Sequence, residues 1–453
     1  MELPVAVQQA LGESAAGVSL RSASQARAQE LLRMVLLSDS EGNLQVICRK
    51  EDLIDLERLN KLLGRNLRQL KTRELSRIRA RAGLNRLPAL PSLTGWPTVV
   101  DSRVDSLPAV ALELEDQNLA MVMPAREFRR LTAGAGRESF AEDLEQIAAN
   151  GEADGQDLDQ LHSAIRKFTS LRIRQRIEDT LELPPLPETA QRIIHLRVNP
   201  NALMGDLVDI VESDPVLAAQ VVSWASSSFY AAAGQVRSVH DAVSRVLGFE
   251  LVMNLAMGLA LGRVLALPHD RPHGYVDYWQ ESIWQAQSAG LLTSLMPRGR
   301  RPEFGLGYLS GLLHNLGYLI LAHVFPPHFG LVCRNREVNS HIDSSVIEHY
   351  LLGITGEQMA AQLLLSWGMP EEVAQAVRFQ KIPDYDGPNR DYARILALGR
   401  QLLTERGVIS GPCRSVDPAL YLSLGLDRTQ VEQCFDQLVA RGDSVLAMAG
   451  VLK

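Results

Sequence analysis

The chain has 453 residues, 46% hydrophobic and 22% charged, proportions that exclude a disordered class. That length exceeds what a single core usually fills and predicts two or three domains. A formal net charge of −7 argues against a protein that coats nucleic acid, while leaving room for local basic patches.

Residues 1–25 are small and polar, a loose arm that is weakly helical at best. Residues 31–49 read as two strands around a Ser-Glu-Gly-Asn turn, a hairpin signal. Residues 52–64 carry Leu or Ile at 53, 54, 56, 59, 62 and 63, a helical period closed by Gly64. A second helix is expected over about 66–82, and 97–101, 108–114 and 119–124 read as strands, giving an α+β domain. From Arg65 to Arg86 this region is strongly basic. Arg73, Arg77 and Arg81 recur every fourth residue, so they share one helix face and form a candidate phosphate-binding stripe. The alternative is a solvated face paired with acids elsewhere. Residues 132–156, rich in Gly, Ala and acid, read as a linker around a short acidic helix. Residues 157–180 read as a connector helix on which Arg172, Arg174 and Arg176 could meet a ligand.

The remainder, 181–453, is nearly all helical by pattern. Three prolines precede a helix at 188, and Asp214-Pro215 splits 202–230 into two helices as N-cap and first helical residue. Gly248 divides a further pair over 239–261. The stretch GYLSGLLHNLGYLILAHV, 307–324, is apolar enough for one buried helix yet carries His314 at its middle. Helices near 393–403 and 417–443 close the bundle. The four cysteines, at 48, 333, 413 and 434, lack the spacing of zinc ligands or of a disulfide framework and read as free thiols in a reducing compartment. The N-terminus has no leader pattern, and the apolar window 251–267 is interrupted by Asn254 and Arg263, so a cytoplasmic protein without a membrane span is expected.

Two resemblances follow from these motifs. The order of hairpin, DLIDLERLNKLLG helix, basic helix, PTVVD and NLAMVM strands over about 26–131 resembles the YbaK/prolyl-tRNA-editing family. Editing members use a lysine on an early strand, and Arg33 fills that slot here. Arginine is a permanent, planar cation, not a tunable lysine, so deacylation of aminoacyl-tRNA is the alternative reading and tRNA is not the expected partner. LPPLP (183–187), IVESDPVLAAQVV (210–222), SVHDAVSRVLG (238–248), GLLHNLGYLIL (311–321) and WGMP (367–370) together resemble the HDOD domain, a degenerate relative of HD-type metal phosphohydrolases. The pairing of the two domains resembles SadB-type regulators of surface attachment and motility.

The HD resemblance implies metal ligands at defined places. In those slots stand Glu281, His314-Asn315, Gly356 and Phe379-Gln380, so His314 survives alone with Glu281 as a substitute. Two ligands close neither a single-metal site nor a two-metal clamp. Literal His-Asp pairs occur at 240–241 and 269–270, outside those slots, and no Walker, HExxH or GxSxG pattern is present. The expectation is a regulator without catalysis, metal or cofactor, which binds a protein partner and a cyclic dinucleotide through its arginines. Glu281, His314 and Asn315 complete the candidate site.

Overall fold

The structure, a computed structural model, describes residues 3–12, 17–22, 30–114, 119–148, 157, 160, 163–164, 185–227, 230, 235–265, 268–382, 384–412 and 415–450. The chain divides into two compact units. The first comprises residues 1–152 together with 270–274 and 330–351; the second comprises 153–269, 275–329 and 352–453.

The first unit is built on a mixed sheet. Strands β1 (Ser19–Ser22), β2 (Leu31–Asp39), β3 (Gly42–Arg49), β4 (Asp52–Ile54), β5 (Arg68–Gln69), β6 (Thr98–Asp101), β7 (Ala109–Glu113), β8 (Leu119–Pro124), β9 (Gly136–Glu138) and β10 (Ala141–Asp143) follow in chain order. The main sheet runs β1-β8-β7-β2-β3-β6-β9 with β5 on β2, while β4 and β10 form a separate pair. The expected hairpin is β2–β3, with Val35 opposite Val46 and Asp39 opposite Gly42 as its last pair. Successive residues of a strand face opposite ways. On β3, Val46 joins a core with Leu37, Ile54, Leu59 and Phe140, while Ile47 joins one with Leu32, Val100, Met121 and Phe128. Both faces of the sheet are thereby covered. Helices α1 (Val5–Leu11), α2 (Leu56–Leu63), α3 (Thr72–Ala82), α4 (Ala125–Leu131) and α5 (Leu144–Ala148) complete the sheet region.

Several sequence expectations need correction here. The helix read from residue 52 begins at Leu56, because Asp52–Ile54 pairs with β10 and Asp55 caps α2 by accepting the Arg58 N–H. The helix read from 66 begins at Thr72, because Gln69 pairs with Leu37. The N-terminal residues are no loose arm: Val7 and Leu11 are buried in the core, and Leu20 lies opposite Met121 in the sheet. Nor is 132–148 a linker. Arg137 pairs with Val100, and the buried Asp101 carboxylate accepts the backbone N–H groups of Phe140 and Ala141, both at 2.9 Å. Those strands are short, and their partners lie far away in sequence, so a Gly- and acid-rich composition hid them.

The second unit is helical: α6 (Glu188–Arg197), α7 (Met204–Glu212), α8 (Pro215–Ala225), α9 (Phe249–Gly262), α10 (Tyr278–Leu295), α11 (Phe304–Leu313), α12 (Leu316–Val324), α13 (Pro326–Val338), α14 (Ser344–Leu352), α15 (Gly356–Ser366), α16 (Glu371–Phe379), α17 (Arg390–Glu405), α18 (Pro418–Leu424), α19 (Arg428–Ala440) and α20 (Gly442–Gly450). Within this series, 330–351, comprising the end of α13 and nearly all of α14, belongs to the first unit. The all-helical domain expected over 181–453 therefore lends a segment to the sheet domain. Asp214 caps α8 through the N–H groups of Val216 and Leu217, as its sequence position predicted. Of the connector read over 157–180, the described residues Asp157, Gln160, Ser163 and Ala164 are helical. The stretch Phe304–Val324 is long and apolar enough to cross a membrane, but 83% of the 18-residue window that meets this measure is buried inside the protein, as in a protein core.

Candidate functional site

The central apolar stretch is two helices, not one. Helix α11 ends at Leu313 and α12 starts at Leu316, with His314 and Asn315 at the break. The His314 ring Nδ1 lies 2.7 Å from the Gly311 carbonyl, the acceptor a continuous helix would offer to the Asn315 N–H. The Tyr318 N–H turns to the Asn315 carbonyl, and the His314 carbonyl is taken by Gln380 Nε2 at 2.8 Å. Gln380 thus satisfies a backbone group that the break leaves open.

Glycines bring this element close to its neighbours. A Cβ on Gly311 would stand 2.6 Å from the Ala286 Cα, and one on Gly317 would stand 2.2 Å from the Gly356 carbonyl oxygen. Gly356, at a slot where the metal enzymes keep a ligand, is therefore in backbone contact with α12.

His314 is buried, and its Nε2 has no hydrogen-bond partner among the described residues. It lies 3.9 Å from Glu281 Oε1. The Arg400 guanidinium stands 3.6 Å from that same oxygen. Nearby in sequence to Gln380 and Gly356, Lys381 pairs with Glu357 at 2.6 Å. Among the described residues, no three His, Cys, Asp or Glu side chains form a group that could hold a metal. Two basic side chains, Arg400 and Lys381, stand against the carboxylates of this region. Sequence reasoning found Glu281, His314 and Gln380 but missed Arg400, which sits on α17 with no local signal. It also missed the tie at Asp157, whose carboxylate accepts from Arg378 (2.5 and 3.0 Å) and from Gln358 (2.8 Å).

The arginines of the basic stripe belong to the first unit. Arg73, Arg77 and Arg81 are exposed on α3, a helix with no fully buried residue, and make no ion pair among the described residues. Arg172, Arg174 and Arg176 lie outside the described residues. Asn315, at the helix break, keeps its side-chain oxygen buried and without a partner among the described residues.

Arg33 has a different surrounding. From β2 its guanidinium donates to the Val338 carbonyl (2.8 Å), to Asn339 Oδ1 (2.9 Å) and to the Asp52 carbonyl (3.2 Å). Asn339, fully buried, also binds both backbone groups of Ile54, accepting its N–H at 2.8 Å and donating to its carbonyl at 2.9 Å. Asn335 accepts the Leu56 N–H at 3.2 Å, and Tyr350 donates to Asp55 at 2.8 Å. Arg33, which the family resemblance matches to the editing lysine, is thus engaged by residues 338–339 of the same unit. Cys48, opposite Arg33, is held in the thiol form, its pKa pushed up to about 11 by burial.

The family model of the HDOD domain matches residues 183–383, so the chain carries an HDOD domain there. A solved structure of a candidate signal transduction protein from Marinobacter aquaeolei VT8 is 70% identical, covers 100% of each chain and superposes with a TM-score of 0.93. The first unit's region is similar to a solved candidate trans-editing enzyme for prolyl tRNA synthetase, at 21% identity over 31% of this chain and 99% of that one, with a TM-score of 0.26. An uncharacterised protein of Treponema pallidum (strain Nichols) is 25% identical over 212 residues, 46% of this chain. The chain spans little more than a third, 38%, of that curated relative.

Proposed function

We propose that this chain is a non-catalytic signalling protein of the cytoplasm, which controls motility and biofilm formation by binding a cyclic dinucleotide and passing its state to a protein partner. The observation that carries the non-catalytic reading is Arg400. Its guanidinium, 3.6 Å from Glu281, offers the carboxylate beside His314 a fixed positive charge, the role a metal ion plays in a hydrolase. The signalling role is supported by the Marinobacter relative, identical at 70% over the full chain. Motility and biofilm rest on the resemblance of the domain pairing to SadB-type regulators. For the ligand, cyclic di-GMP is the first candidate, since Arg73, Arg77 and Arg81 present an exposed row of cations without acid partners among the described residues.

A thermal-shift screen of the full chain against cyclic di-GMP, other nucleotides, manganese and iron tests the reading. A ligand at a hundred times its dissociation constant adds about 2.7 kcal/mol to the folded state, a visible shift. Stabilisation by cyclic di-GMP, lost in a triple Arg73→Ala, Arg77→Ala, Arg81→Ala variant, is the expected result. Stabilisation by metal alone would overturn it.

A further inference from the structure

The second unit contains a cavity of about 260 Å³ at a junction of three helices. Its lining is written in helical spacing. Gln287, Gly290, Leu291 and Ser294 share one face of α10, Phe304 and Tyr308 share one face of α11, Cys434, Gln437 and Leu438 share one face of α19, and Arg441 follows directly at its C-terminal end. Gly290 makes room, since a Cβ there would meet the Phe304 ring at 3.1 Å and the Tyr308 ring at 3.3 Å. Phe304 and Tyr308 stack with centroids 6.3 Å apart at 26°, and Phe304 remains 39% exposed despite its apolar ring. At the floor, Gln287 Nε2 donates to the hydroxyls of Tyr308 at 3.2 Å and Tyr230 at 3.4 Å, long bonds for an amide in a protein interior. Arg441 is the single charged residue of the lining, exposed at the rim and without an ion pair among the described residues.

We infer that this cavity is a small-molecule site for a planar heteroaromatic ligand carrying an anionic group, a purine mononucleotide in size and chemistry. Aromatic walls offer stacking to a base. The amide and hydroxyls at the floor offer donors and acceptors to its edge, and the lone arginine offers a partner to a phosphate. The volume lies below the roughly 300–1,000 Å³ of sites for drug-sized ligands, so the cavity suits one base and not an entire cyclic dinucleotide. The site shares no residue with α3, so it stands or falls independently of the ligand reading above.

Isothermal titration of the full chain with GMP, AMP and inorganic phosphate tests it. Saturable binding of at least one nucleotide is expected, with phosphate at least tenfold weaker. Two surface substitutions, Arg441→Ala and Ser294→Trp, should weaken the nucleotide by tenfold or more with melting unchanged, the first by removing the cation and the second by blocking the mouth. The α3 triple variant should bind as the natural chain does. Absence of saturable nucleotide binding at millimolar concentration would overturn the inference. So would phosphate binding as tightly as either nucleotide, or a loss confined to the α3 variant.

Discussion

The two units hold their most telling residues in opposite conditions. Arg33 in the first is engaged three times over by carbonyl and amide oxygens, two of them from residues 338–339. His314 in the second keeps its Nε2 buried and unpartnered among the described residues, beside a carboxylate that also faces Arg400. Each stands in a slot that the sequence resemblances match to a working group of an enzyme. In the first unit the slot has become part of the fold's hydrogen-bonding framework; in the second it retains polar groups with spare capacity. Both terminal nitrogens of Arg33 are committed to fixed acceptors and have little left for a substrate, whereas an open acceptor or donor can still answer a change of state.

The sharpest way to break the first half of this comparison is Asn339→Ala. It strands the Ile54 N–H and carbonyl and removes one acceptor from Arg33, all inside the first unit. At about 1–3 kcal/mol for each stranded buried group, the loss should reach about 3 kcal/mol or more in urea unfolding. A loss under about 1 kcal/mol would show that the segment is not a structural part of the unit.

In the second unit, Gly317→Ala probes the packing that sets the helix break against Gly356. The added Cβ would lie 2.2 Å from a backbone oxygen, which no side-chain rotation can relieve. Overpacking of this kind costs typically about 1–3 kcal/mol, and a melting temperature lowered by several degrees is expected. An unchanged melting temperature would mean that α12 and α15 part freely.

Acid should act on the first unit before the second. Burial lowers the pKa of His341 well below the usual value, helped by the nearby charges of Arg33 and Lys50, and burial also lowers those of His273 and His349. All three belong to the inserted segments of the first unit. A lowered pKa means that the unfolded chain takes up protons first. Stability is therefore full above the ordinary histidine value of about 6.5 and is lost as pH falls from there toward the folded-state values. Hydrogen exchange at pH 7.5 and 5.5 should show β4 and 338–342 opening at the lower pH, an effect reduced by His341→Gln. Equal loosening of α10 and α11 would contradict this.

Much of the architecture was legible because it rests on local rules. The β2–β3 hairpin, the Asp214 cap of α8 and the helical second unit follow from turn chemistry, capping and period. What was not legible depended on distance. Nothing in the sequence around Asn339 announces that its amide will pair with Ile54, since both lie in stretches that read as ordinary helix. The break at His314 was hidden because an apolar run has no period with which to signal a kink, and the cause is a ring bonding its own backbone at Gly311. Arg400 was missed for the same reason as Asn339: its partner Glu281 is a neighbour only in space.

The smallest expected effect sharpens the contrast between arginines. Arg33 is bound into the first unit, whereas Arg73, Arg77 and Arg81 touch solvent on a helix with no buried residue. Spaced four apart, these three repel one another weakly, and alanine is the better helix former. Replacing all three with alanine should change unfolding free energy by no more than about 0.5 kcal/mol, the usual range for surface substitutions. Arg33→Ala should cost several times more, because it leaves the Val338 and Asp52 carbonyls without this donor. If the triple variant is as stable as the natural chain yet loses a ligand, the loss is one of binding. If it unfolds more easily, the stripe is held by contacts that the fold itself needs, and its exposure would have to be explained on structural grounds.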